Sequence, residues 1–207
     1  MMLLRLAQAV SERARRARMR RFVETFGATE STRVLDVGGT PGIWRLAPVQ
    51  PRVVFLNEPR EEAASTIYGD GCCLPFRDGA FDVVFSNSVI EHVGGAERQA
   101  EFAREAARAG RGYWVQTPNR RFPVETHLLT PFIHWLPRAW QTRLAPKISV
   151  WRWLARVSED RREFYLRHYL DRVHLLTAAE MRKLFPDAAV VNTGKSLIAY
   201  RLPPKRA

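Results

Sequence analysis

The sequence predicts an α/β fold: a doubly wound, mostly parallel sheet with a helical insertion after the fifth strand. Two observations carry this expectation. Short apolar runs alternate with helical patterns along the chain, as in repeated strand–helix–strand units. The first of those runs ends in "VLDVGGTPG", residues 34 to 42. In parallel sheets ligands bind at the carboxyl ends of the strands, and glycines there let the backbone pass close beneath one.

Each element has its own signal. In "SERARRARMRRFVETFG", Met19, Phe22, Val23 and Phe26 recur at helical spacing, and Gly27 supplies a stop. Residues 33 to 37 read as a buried strand, and Pro41 opens a short helix. "RVVFLN" (52 to 57) is a second strand, "STIYGD" (65 to 70) a weaker third and "FDVVFSN" (81 to 87) a fourth. Over residues 96 to 110, Ala96, Ala100, Ala103 and Ala107 mark one helical face before Gly110. "GYWVQT" (112 to 117) is the fifth strand. Thr177 and Glu180 have capping-box spacing for a helix that stops before Pro186. Residues 189 to 201 then read as two strands turning at Gly194.

The 207 residues suit one domain with a real core, carrying a basic helix over 1–27 and a lid-like insertion over 118–170. No apolar run approaches the roughly 18 residues of a membrane span. The opening "MMLLRLAQAV" has too short an apolar core for a signal peptide, and Arg5 interrupts it. Cys72 and Cys73 are adjacent, which disfavours a disulfide between them and fits a reducing, cytoplasmic setting. The balance of 33 basic to 21 acidic residues gives a surface that attracts polyanions.

The turn discriminates between cofactor classes. A dinucleotide site favours G-x-G-x-x-G with amides facing a pyrophosphate. Here the glycines are Gly38, Gly39 and Gly42, and Asp36 would repel that pyrophosphate. The arrangement resembles motif I of the class I S-adenosylmethionine-dependent methyltransferases, with Thr40 where the commonest pattern has the middle glycine. "GDGCCLPFRDGAFDVVFSNSVIEHV" (69 to 93) resembles the run through strands three and four in the methyltransferase-11-like branch of that superfamily. The resemblance implies a Rossmann-like methyltransferase fold and S-adenosylmethionine as cofactor. It places the cofactor's amino-acid end on Asp36, Gly38, Gly39, Thr40 and Gly42, and its adenine beside Asp70 and Gly71. The ribose falls to Asn57 or Glu58, and Ser86 and Asn87 lie beside the cofactor.

The acceptor side is expected after strand five, in "TPNRRFPVETHLLTPFIHWLP" (117 to 137). This stretch resembles one found in uncharacterised bacterial members of the superfamily. His127, with an ordinary pKa of about 6.5, suits a general base. Glu125 either orients it or binds the acceptor, or the two are a structural pair tying the insertion to the sheet. His92 either lies near the cofactor or caps a helix. Asn119 and Arg120 could hold an anionic or hydroxylated substrate. Glu125, His127 and His134 match no metal-ligand spacing, and no metal site is expected.

The expected reaction is methyl transfer to a small or lipid-linked acceptor. Trp135, Trp140, Trp151 and Trp153 lie among Arg138, Arg143 and Arg152, which suits a lid or a face on an anionic membrane. The arginines between residues 13 and 21 raise RNA as a partner, but no RNA-binding module accompanies them, so nucleic acid is disfavoured. The competing class is a non-catalytic protein of the same fold that binds anionic partners.

Overall fold

The computed structural model of the chain describes residues 2–58, 66–148, 169–170 and 172–204. Its main sheet has seven strands: β1 (Arg33–Val37), β2 (Arg52–Asn57), β3 (Thr66–Tyr68), β4 (Phe81–Asn87), β5 (Gly110–Pro118), β8 (Ala189–Asn192) and β9 (Ser196–Arg201). Their order is β3-β2-β1-β4-β5-β9-β8. β1 runs parallel to both β2 and β4, and β2 runs parallel to β3. The chain moves outward from β1 through β2 to β3, then returns to place β4 on the other side of β1. That reversal is a topological switch point, and it sits where the two glycine-rich and polar strand ends meet.

The chain forms two compact units. The first comprises Met1–Asn87, Glu101–Val115 and Tyr200–Ala207, the second Ser88–Ala100 and Gln116–Ala199. In the first, α1 spans Met2–Phe26. Its anchor is Phe22, which is fully buried. The Phe22 ring meets Trp44, Phe85 and Trp114 edge-on at centroid distances of 5.6, 5.1 and 6.0 Å. Edge-to-face aromatic packing adds to the area such rings remove from water. Near the other end of the chain, Tyr200 packs on Trp114, and the Arg201 guanidinium lies 4.8 Å from the Tyr113 ring centroid. Arg201 also donates to the carbonyl of Ala107 at 3.0 Å.

α2 (Pro41–Trp44) follows the first turn, and α3 (Ala96–Ala109) follows β4. The alanine face expected on α3 is displaced by about one residue. Ala96 is exposed and Ala100 and Ala107 are only half-buried, whereas Gln99, Phe102, Ala103 and Ala106 are buried. One large ring, Phe102, sets the rotation, because burying it removes far more apolar area than burying another alanine.

In the second unit, a short antiparallel hairpin follows β5. It pairs β6 (Val124–Glu125) with β7 (Thr130–Pro131) in the register Glu125↔Thr130. A 3-10 turn (Ile133–Trp135) and α4 (Arg138–Ile148) come next, so the insertion is helical in part, as expected. Leu128, Ile133, Ala145, Tyr169 and Leu170 form a small apolar core there. α5 (Ala178–Leu184) carries the capping box read from the sequence. The Thr177 hydroxyl accepts from the Glu180 amide, and the Glu180 carboxylate accepts from the Thr177 amide. β8 and β9 turn at Gly194, whose φ of +79° favours glycine.

Trp135 and Trp140 are exposed. Trp151, Arg152 and Trp153, three of the seven residues of the tryptophan–arginine cluster, lie outside the described residues. Among the described residues no helix is long and apolar enough to cross a membrane.

Phe22→Ala should destabilise the protein by about 3–5 kcal/mol, the range for deleting a buried phenylalanine ring. Equilibrium urea unfolding of parent and variant measures it.

Candidate functional site

The first unit builds its site at the carboxyl ends of β1 and β4. Asp36 is 1% exposed, because it sits inside the central strand rather than on the turn. Its Oδ2 accepts a 2.7 Å hydrogen bond from the indole nitrogen of Trp44, on α2. Its Oδ1 is buried with no hydrogen-bond partner. Burial raises the Asp36 pKa to about 7 despite the Trp44 bond, which pulls the other way.

The glycines of the turn differ in what they do. Gly38 has φ +77°, and its amide bonds Leu56 at 2.8 Å. A Cβ on Gly39 would fall inside the Asp36 carboxylate. Gly42 is different: the nearest atom to a Cβ there is Thr40 Oγ1 at 3.9 Å. The fold alone therefore requires glycine at 39 but not at 42. Thr40 takes extended backbone at the N-cap of α2 and makes no side-chain cap bond.

The other expected cofactor residues line the same strand ends. Asn57 closes β2, and its amide nitrogen donates to the Gly39 carbonyl at 3.0 Å, so it braces the turn from the neighbouring strand. Glu58 follows it, exposed. After β3, Asp70 Oδ1 accepts from the Cys72 amide at 2.9 Å and closes a tight turn. Gly71 is needed in that turn, since a Cβ would meet the Phe102 ring at 2.9 Å. On β4, Ser86 is fully buried and donates to the Val37 carbonyl at 3.2 Å, tying the two strand ends together. Asn87 follows, with a buried Oδ1 that has no hydrogen-bond partner. Buried polar atoms are nearly always paired. Among the described residues, two buried oxygens lack a partner here, one at the end of β4 and one on β1 just before the turn.

The second unit holds a separate cluster. Glu125, 1% exposed, points into its own hairpin. Its Oε2 accepts from the Leu128 amide at 2.6 Å, and its Oε1 lies 2.7 Å from His127 Nδ1. A carboxylate there selects the tautomer with hydrogen on Nδ1, which leaves the His127 lone pair on Nε2. Burial pushes the His127 pKa down, but the bond to Glu125 and the charges of Glu125 and Glu91 outweigh it, so the net shift is upward. The His92 ring meets the His127 ring edge-on at 5.1 Å, and the Tyr169 ring lies 6.1 Å from that of His127. His92 sits in the turn after β4, four residues before α3, and so does not cap that helix.

Glu91 joins this cluster, although the sequence reading assigned it no role. It is fully buried; Oε2 accepts from the Thr117 hydroxyl at 2.9 Å, Ser88 and the residue's own amide also favour its charged form, and among the described residues Oε1 has no hydrogen-bond partner. Desolvation raises its pKa to about 7, against opposing hydrogen bonds and the His127 charge. Its signal was an acid directly before a histidine, four residues past the end of a buried strand.

Asn119 and Arg120 sit elsewhere in this unit. Asn119 donates to the Gly194 carbonyl at 2.8 Å and accepts from the Arg121 amide at 3.0 Å, which anchors the β8–β9 turn. Arg120 pairs with Glu180 at 3.0 Å.

Residues 48–112 match the family described as "Methyltransferase domain", Methyltransf_11. This match covers about a third of the chain. An uncharacterized methyltransferase of Mycobacterium sp. (strain KMS) is 37% identical over 81 residues, 32% of this chain and 32% of that protein. The chain thus matches about a third of the length of this curated relative. Two solved structures share the fold at low identity. A putative Zn-dependent alcohol dehydrogenase from Rhodobacter sphaeroides aligns with a TM-score of 0.63 at 10% identity, over 90% of this chain and 89% of that one. Magnesium protoporphyrin IX methyltransferase from Synechocystis PCC 6803, with bound SAH, aligns with a TM-score of 0.50 at 15% identity, over 92% and 82%.

Two outcomes follow for the turn after β1. Gly39→Ala should cost about 1–3 kcal/mol, the usual range for overpacking, while Gly42→Ala stays near the parent; chemical denaturation compares them. Asp36, with a folded pKa of about 7 against an ordinary 3.8, binds more protons folded than unfolded between those values. Its contribution to stability therefore falls as pH rises from about 4 to 7. Thermal melts at pH 5 and pH 8 should show a smaller loss of stability on raising the pH in Asp36→Asn than in the parent.

Proposed function

We propose that the protein transfers a methyl group from S-adenosylmethionine to a small or lipid-linked acceptor. The observation that carries this reading is the pair of buried, unpartnered oxygens, Asp36 Oδ1 and Asn87 Oδ1, at the switch point beside Gly39. A ligand with an ammonium group satisfies Asp36 and restores its negative charge, because an adjacent cation favours the ionised form. A bare phosphate would be repelled there. Glu58, exposed at the end of β2, supplies the carboxylate a ribose diol suits, since the Asn57 nitrogen is already bonded to Gly39. The SAH-bound relative of the same fold is consistent with this choice of ligand.

S-adenosylmethionine, when bound, supplies an activated methyl on a sulfonium that already carries its leaving group. The protein's work is then to hold and align the acceptor and to manage a proton. Glu125 fixes the His127 ring and keeps a lone pair on Nε2, the basic site open to an acceptor. Tyr169 and Thr117 border that cluster on the protein side.

Isothermal titration with S-adenosylmethionine and S-adenosylhomocysteine tests the reading. The parent should bind both. Asp36→Ala should weaken binding by at least about tenfold, corresponding to the loss of one charge-assisted hydrogen bond. His127→Ala should leave that affinity within about twofold while lowering turnover once an acceptor is supplied. A parent that binds neither ligand overturns the proposal.

A further inference from the structure

We propose that Glu91, His92 and His127 form a divalent transition-metal site that holds an oxygen of the methyl acceptor, an inference that rests on the methyl-transfer reading for its purpose. Each of the three offers one donor atom, and the donors all lie within 4.8 Å of one another. A tetrahedral ion with ligands about 2.1 Å away needs donors roughly 3.4 Å apart. The 4.8 Å bound encloses that spacing, and both imidazoles are half-buried.

Glu91 is the decisive member. A fully buried carboxylate with one oxygen orphaned is costly unless a cation or donor meets it. Its other oxygen is held by Thr117 at 2.9 Å, which leaves the orphaned oxygen to serve as a ligand. The backbone around it is fixed as well: the Glu91 carbonyl accepts from the His174 amide at 2.8 Å, and the His92 amide donates to Val89 at 2.7 Å. His127 has the arrangement common among metal-binding histidines, with one ring nitrogen on a carboxylate and the other carrying the lone pair. Glu125 is in turn fixed by the Leu128 amide. Two imidazoles and one carboxylate suit zinc, iron, cobalt or manganese better than calcium or magnesium.

Three protein ligands leave at least one coordination position open. A hydroxyl or carboxylate oxygen of the acceptor fits that position. In this arrangement His127 Nε2 is a ligand and not a proton acceptor. The acceptor class narrows accordingly to molecules with an oxygen at or beside the methylated atom. The metal set considered from the sequence, Glu125, His127 and His134, is not the one that converges: Glu125 stands behind His127, and His134 Nε2 lies 2.9 Å from the Arg120 carbonyl.

The test uses untagged full-length protein stripped with a chelator. Zn²⁺ and Co²⁺ are titrated calorimetrically, and the visible absorption of the Co²⁺ form is recorded. One equivalent should bind. Glu91→Gln and His127→Ala should each weaken binding at least tenfold and change the Co²⁺ spectrum. Glu125→Gln should weaken it about 10- to 100-fold, as for a partner behind the ligand. His174→Ala, with an exposed side chain, should match the parent. Circular dichroism melts confirm that each variant is folded, and Glu91→Gln preserves shape if His127→Ala does not fold. Absence of saturable binding by the parent, or binding unchanged in both Glu91→Gln and His127→Ala, overturns the proposal. S-adenosylhomocysteine is titrated into the same samples. A parent that binds S-adenosylhomocysteine but neither Zn²⁺ nor Co²⁺ overturns the cation site and leaves the methyl-transfer reading standing. Metal binding without S-adenosylhomocysteine supports the cation site and removes the methyl-transfer reading.

Discussion

The first unit depends on a carboxylate that has been taken out of water and given one hydrogen bond. Asp36 lies within β1, out of reach of solvent, and among the described residues the Trp44 indole is the donor that meets it. Three consequences follow from that placement. The residue at 39 must lack a side chain, the short helix after the turn must present a tryptophan toward the strand, and β4 must bring Asn87 alongside. The aromatic cluster around Phe22 supports the same arrangement from beneath, because Trp44 packs on Phe22 with one edge while its nitrogen serves Asp36. A single side chain thus links core packing to the chemistry of the strand end.

The second unit solves a different problem with similar means. Glu125 is buried but fully engaged, and its two oxygens hold one backbone amide and one imidazole. Glu91 is buried and half engaged. The contrast between these two acids, one structural and one incomplete, separates scaffold from site more clearly than exposure does.

Much of this was legible in the chain. β1, β2 and β4 were read to the residue, because buried strands in such sheets are continuous apolar runs bounded by turn residues. The capping box of α5 was equally plain, since its spacing is local chemistry. The rotation of α3 was not, because alanine spacing says little when one Phe102 outweighs several alanines. The hairpin around Glu125 escaped notice too, as two-residue strands leave no periodicity. For the site, the glycine turn and its partners on β3 and β4 were found by their order along the chain. The convergence of Glu91, His92 and His127 depends on a fold between residues 92 and 127 that no spacing rule encodes.

The packing of Tyr200 and Arg201 on Trp114 and Tyr113 has a consequence for synthesis. The first compact unit begins near residue 1 but takes its closing contacts from residues 200 and 201. A nascent chain therefore carries β1 to β4 for most of its translation without the segment that covers the aromatic rings of β5. Premature termination after β8 would leave those rings uncovered, a surface of the kind that draws chaperones and seeds aggregation. The order of the strands in space, and not their order of synthesis, decides when this protein can finish folding.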